Sequence, residues 1–129
     1  LLERSNLHWL GVKPYSELPD YLRHIAVAMI PFQLNDITHS TSPLKLFEYM
    51  AGGKPVVITP MEESMRTPGV LVASDRHSFS QQIDRALQLR HDPAYLGQLD
   101  QVARQNTWDI RACQILDALA ASAKNPATG

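Results

Sequence analysis

One cysteine, Cys113, is the whole thiol complement of this 129-residue chain. An internal disulfide and any multi-cysteine zinc site are thereby excluded. A reducing compartment is the expected home, and we expect the cytoplasm, at the periphery of the inner membrane in a longer protein. Long apolar stretches are also lacking. The longest runs from Ile25 to Phe32, far short of the roughly 20 residues that cross a bilayer. Excess charge of either sign is missing, with 12 Lys and Arg against 13 Asp and Glu. That balance argues against a protein that grips nucleic acid by neutralising phosphates. No basic start followed by an apolar stretch marks a secretory leader. No initiator Met precedes Leu1-Leu2-Glu3-Arg4, so the chain is expected to be part of something longer.

What is present is globular, with 44% apolar and 19% charged residues. One domain is expected over residues 1–123, with 124–129 a frayed tail. Asn6 to Leu10 reads as a short strand. Tyr15 to His24 reads as a helix capped by Ser16, with Pro19 in its first turn. Ile25 to Pro31 is continuously apolar, which predicts a strand buried on both faces of a parallel sheet. A polar loop is expected from Phe32 to Ser42. A helix then follows from Leu44 to Ala51, with Ser42 as cap, Pro43 at its first position and Gly52-Gly53 as its stop. Pro55 to Thr59 and Gly69 to Ala73 read as further strands, joined by a loop from Pro60 to Pro68. Three helices close the chain, opened by Asp75 or Ser78, by Pro93 and by Thr107. Alternation of this kind predicts an α/β fold: a Rossmann-like, three-layer α/β/α doubly wound parallel sheet.

Ligands of such sheets sit outside the carboxyl ends of the strands, which directs attention to the segment from Asn35 to Glu48. A helix N-terminus offers free N–H groups and about half a positive charge. Ser40, Thr41 and Ser42 add hydroxyls there, and Lys45 lies in the first turn. A first-turn cation disfavours the helix by itself, whereas an anion held between it and the N–H groups reverses the sign. Glu48 shares a face with Lys45, about 4.5 Å further along the axis. Phosphate at Lys45 and a ribose diol at Glu48 is one reading. A solvated intrahelical ion pair and plain hydroxyl capping are the other. The five histidines, His8, His24, His39, His77 and His91, show no metal-ligand spacing. Glu62 and Glu63 read as a solvated loop, Trp9 and Trp108 as packing residues, and no nucleophile triad is recognisable.

The stretch Ser42-Pro43-Leu44-Lys45-Leu46-Phe47-Glu48-Tyr49-Met50-Ala51-Gly52-Gly53-Lys54-Pro55-Val56-Val57 resembles the donor-nucleotide motif of GT-B glycosyltransferases, and within them the retaining, metal-independent family four, also called group 1. The flanks Asn6 to Gly11, Tyr15 to Leu22, Val27 to Phe32 and Thr107 to Ala112 agree with it. The resemblance covers Asn6 to Leu119 and implies the carboxy-terminal half of a GT-B fold, without its opening strands. It implies that Glu48 grips the nucleotide ribose and that Lys45 lies beside the donor diphosphate. Ser40, Thr41, Ser42 and Leu44 then fall where the diphosphate is held, and Asn35, Thr38 and His39 on a loop near the sugar or the cleft. Many members carry a second glutamate where this chain has Ser40, and an acidic residue where it has Ala26.

The implied function is transfer of a sugar from a nucleotide-diphosphate sugar to an acceptor, with no metal or other cofactor and with no residue assigned as catalytic base. The implied partners are the nucleotide sugar and the amino-terminal GT-B half, without which the piece should be inactive. A non-catalytic nucleotide- or protein-binding module is the alternative, and a nucleotide-sugar epimerase a third reading. Self-association through an uncovered sheet edge or the final helix is expected of the chain alone.

Overall fold

The computed structural model describes residues 4–124. A 3₁₀ turn at Tyr15–Glu17 leads into α1 (Leu18–His24), then β1 (Ala28–Ile30), α2 (Asp36–His39), α3 (Leu44–Ala51), β2 (Val56–Ile58), α4 (Glu62–Arg66), β3 (Leu71–Val72), α5 (Arg76–Leu89), α6 (Pro93–Gln105) and α7 (Trp108–Lys124). The strands form one parallel sheet in the order β1-β2-β3, with Ala28 opposite Val56 and Val57 opposite Leu71.

Alternation along these short strands divides the core in two. Ala28, Ile30, Val56 and Ile58 point to one face, where Leu46, Phe47 and Met50 of α3 and Leu99, Val102 and Ala103 of α6 bury them. Val57 and Ala73 point to the other face, against Phe79, Ile83 and Ala86 of α5. Helix, sheet and helix thus form three layers, a partial Rossmann-like α/β half. All three residues of β2 are buried, as a central strand of a two-sided sheet requires.

Glycine sets two of the corners. Gly53 adopts φ +65°, and the N–H groups of Gly53 and Lys54 donate to the carbonyls of Met50 and Tyr49. This left-handed closure ends α3 and turns the chain into β2. Gly69 adopts φ +81°, and a Cβ there would lie 3.0 Å from Leu99 Cδ2, so the turn before β3 packs tightly under α6.

Several expectations change. Asn6 to Leu10 is not a strand: no described strand lies beside it to supply a ladder, and Trp9 is 77% exposed. Trp108 is likewise exposed, so neither tryptophan is a packing residue. β1 is buried on one face only. It is an edge strand among those described, α5 covers β2 and β3 and not β1, and Met29 stays 53% exposed. Ser16 caps nothing, because the 3₁₀ turn carries the chain past it and α1 begins at Leu18. The loop from Phe32 to Ser42 contains α2, because Asn35 and Thr38 form a reciprocal capping box. The loop from Pro60 to Pro68 contains α4, anchored by buried Met61 and Ser64, whose hydroxyl donates to the carbonyls of Thr59 and Met61. Asp75 and Thr107 cap as expected. α7 continues through Lys124, and the tail expected beyond it lies outside the described residues.

Candidate functional site

The chain leaves the carboxyl end of β1 at Pro31 and returns to the sheet through α3. The start of α3 differs from the expected one by a residue. Pro43 is the N-cap, no side chain caps the helix, and the Leu46 N–H donates to the Pro43 carbonyl at 2.9 Å. Ser42 therefore stands one position outside the cap, and its hydroxyl makes none of the first-turn bonds. The free N–H groups at this end have no side-chain acceptor, and no acidic residue occupies the first turn.

Ser40, Thr41, Ser42, Leu44, Lys45 and Glu48 are all exposed. Lys45 and Glu48 do not pair with each other, nor with any charged group among the described residues. Both are held outward because Leu46, Phe47 and Met50 take the inner face of the same helix. The preceding loop spends its polar groups on its own shape. Thr38 Oγ1 donates to the Gln33 carbonyl at 2.7 Å, and the Thr41 hydroxyl donates to the Ile37 carbonyl at 2.7 Å. A phosphate accepts hydrogen bonds and does not donate them, so the Thr41 hydroxyl is already committed. Ser40 and Ser42 carry the uncommitted hydroxyls. His39, Asn35 and Ser40 line a shallow hollow of about 390 Å³ with Leu34 and Asp36.

Glu48 has a partner that sequence spacing does not reveal. The Tyr15 hydroxyl donates to Glu48 Oε1 at 3.3 Å, across 33 residues of chain. Two further contacts fix this arrangement. Gly52 lets Leu22 approach where a Cβ would collide with it, and Lys54 Nζ donates to the Arg23 carbonyl at 3.2 Å. α1 therefore meets the end of α3 and the turn after it, while the 3₁₀ turn lies beside Glu48.

A second hollow, about 480 Å³, opens at the carboxyl ends of all three strands and is lined by Pro31, Thr59, Ser74, Arg76, Phe79 and Ile83, among others. Thr59 Oγ1 is shut off from solvent and lacks a hydrogen-bond partner among the described residues. Neither hollow includes Lys45 or Glu48, which stand on open helix surface. Thr59 directly follows β2, at the end of the sheet where ligands of such folds approach. The start of α5 borders the second hollow and is closed by its own carboxylate. The Ser78 backbone N–H, and after it the Ser78 hydroxyl, hold the Asp75 carboxyl below its ordinary range. Among the described residues no three of His, Cys, Asp and Glu converge as metal ligands. No described helix is long and apolar enough to cross a membrane.

The family model described as "Glycosyl transferases group 1" matches residues 2–89. The chain is 31% identical over 121 residues to a Bacillus subtilis (strain 168) protein named "Putative teichuronic acid biosynthesis glycosyltransferase TuaH". That match covers 90% of this chain and 30% of the relative, so the chain spans about a third of the relative's length. No solved structure matches significantly. The matched family model covers the sheet, the open start of α3 and the Lys45–Glu48 face together: this chain belongs to the group 1 glycosyltransferases.

Proposed function

We propose that this chain supplies the donor-nucleotide-binding part of a glycosyltransferase that moves a sugar from a nucleotide-diphosphate sugar to an acceptor. The observation that carries the reading is the start of α3, where uncapped N–H groups, an unpaired Lys45 and an outward Glu48 follow one another on one helix. The first-turn N–H groups and the Lys45 ammonium hold the diphosphate, assisted by Ser40 and Ser42. Glu48 accepts from the ribose hydroxyls. Leu44 contributes its backbone N–H, and Thr41 shapes the approach through its bond to Ile37. Asn35, Thr38 and His39 belong to the wall of the donor-sugar side. No metal is needed, because the cationic helix end and Lys45 supply the charge that a divalent ion would otherwise bring. The relative's assignment to teichuronic acid biosynthesis supports a glycan as the product. The transfer itself requires an acceptor-binding partner half, and the cytoplasmic side of the inner membrane suits such an assembly.

Titration with UDP and with GDP, followed by amide chemical shifts, tests the site. Shifts concentrated between Asn35 and Glu48 are expected, and their absence at millimolar ligand counts against it. The variants separate by ligand part. Lys45→Ala weakens diphosphates by about 10- to 100-fold and leaves nucleosides unchanged, because its role is charge. Glu48→Ala weakens both. Equal losses for nucleoside and diphosphate in the Lys45 variant remove that residue from the phosphate site.

Ser40, where many relatives carry a glutamate, favours a second reading, a binding module without catalysis. Hydrolysis or transfer of a nucleotide sugar by the longer protein excludes it. We also propose that the chain alone self-associates, because Met29 of β1 and Ile115, Leu116 and Leu119 of α7 are exposed. Light scattering that returns the monomer mass at every concentration overturns this.

A further inference from the structure

We propose that Tyr15 is a positioning and recognition residue for the nucleoside: its hydroxyl sets the Glu48 carboxylate, and its ring is the face against which the base lies. The inference rests on the nucleotide reading given above. The starting observation is that a tyrosine 76% exposed, far from α3 in sequence, donates to the one carboxylate on the outer face of that helix. An exposed aromatic ring gains nothing from burial in the chain itself, and nothing in the core requires it there.

Its placement is nonetheless specified. The turn is closed by the Glu17 N–H donating to the Pro14 carbonyl at 3.0 Å. α1 then meets the end of α3 and the turn after it through the Leu22–Gly52 approach and the Lys54–Arg23 bond. Tyr15 thus sits on a turn continuous with α1, and that helix touches the end of α3. The hydroxyl takes part of the capacity of Oε1 only. Oε2 and the remaining lone pairs stay open, as a vicinal diol needs when it donates twice to one carboxylate. The base hangs from the same ribose, so a base whose diol is on Glu48 lies within reach of the Tyr15 ring. Aromatic faces accept any base by stacking, which selects for a nucleoside without fixing which one.

The two roles separate by substitution. Tyr15→Phe keeps the ring and removes the donor; Tyr15→Ala removes both. Thermal midpoints of both variants should match the parent, since the side chain is exposed. Binding of UDP, GDP and ribose 5-phosphate to the 129-residue chain is then measured by amide shifts. Tyr15→Phe should weaken all three by about 2- to 10-fold, the loss of one hydrogen bond. Tyr15→Ala should weaken UDP and GDP by a further factor of about 10 or more, and ribose 5-phosphate no further, because it has no base to stack. The Tyr15 ring protons should show a large ring-current shift with UDP and GDP and only a small one with ribose 5-phosphate, a signature that a merely structural role does not produce. If Glu48→Ala weakens UDP while both Tyr15 variants bind as the parent does, the inference fails and the nucleotide reading stands. If the unaltered chain binds neither UDP nor GDP, both fall.

Discussion

Two helices of this chain, α5 after β3 and α3 after β1 and the short α2, have first turns built in opposite ways. α5 opens with Asp75, whose carboxylate takes the Ser78 N–H at 2.8 Å while the Ser78 hydroxyl takes the Asp75 N–H at 3.1 Å. Its N-terminus already holds an anion. α3 opens at Pro43 with no side-chain acceptor, no acidic residue in its first turn and a lysine where charge is unwelcome. A fold capable of closing one helix with a full capping box leaves the other open, and the open one carries the Lys45–Glu48 face. The stability of α3 must then come from elsewhere: from Leu46 and Met50, both fully buried, and from α6 lying across it.

That contrast can be broken in order of size. Leu46→Ala removes a fully buried side chain from the inner face and should cost about 2–5 kcal/mol in urea unfolding. A cost near zero would mean that the start of α3 supports itself. Tyr95→Phe is smaller. The Tyr95 hydroxyl donates to the Gly69 carbonyl at 2.7 Å and so pins α6, the support of α3. Its loss should cost about 0.5–1.5 kcal/mol. Burial pushes this phenol up to about 12 from an ordinary 10.0. A raised folded value means that the contribution is whole below pH 10.0 and is lost as pH rises through about 12. The gap between parent and Phe variant should therefore be flat up to pH 10.0.

Asp75→Ala is the next step down. It should lower the thermal midpoint at neutral pH. Because the folded Asp75 carboxyl titrates below its ordinary 3.8, the deficit is complete above that pH and closes as pH falls through the lower, folded value. Ser42→Ala comes last, within about 0.5 kcal/mol of the parent. A loss of about 1 kcal/mol, typical of a true cap, would make the two helix starts alike and end the contrast.

The elements that were legible in sequence are those written as long apolar periods or strong stops. Val56 to Ile58, Gly52-Gly53, Asp75 and Pro93 all act in the structure as their residue types imply. The misses have physical causes. Asn6 to Leu10 has strand composition, but a strand exists only where a neighbour completes its ladder, and none is described. Asn35 and Thr38 are loop residues by type and become a helix start through a reciprocal bond that composition does not display. Ser42 and Pro43 gave the helix start to within one residue, yet that residue decides whether the hydroxyl caps or stays free. At the site, Lys45 and Glu48 were legible because one helix carries both. Tyr15 was not, because its meeting with Glu48 depends on how α1 meets the end of α3.

The register of the sheet carries a consequence for the order of assembly. Ala28 pairs with Val56, whereas Val57 pairs with Leu71, so the first pairing closes twice the length of chain that the second does. Each doubling of loop length adds about 0.6 kcal/mol of closure entropy. β2 and β3 can therefore meet early around the short α4 connection, with α5 sealing their far face. The pairing of β1, around the longer excursion through α2 and α3, carries the larger closure cost of the two. The strand that launches the Lys45–Glu48 face is thus the one whose pairing takes more freedom from the chain.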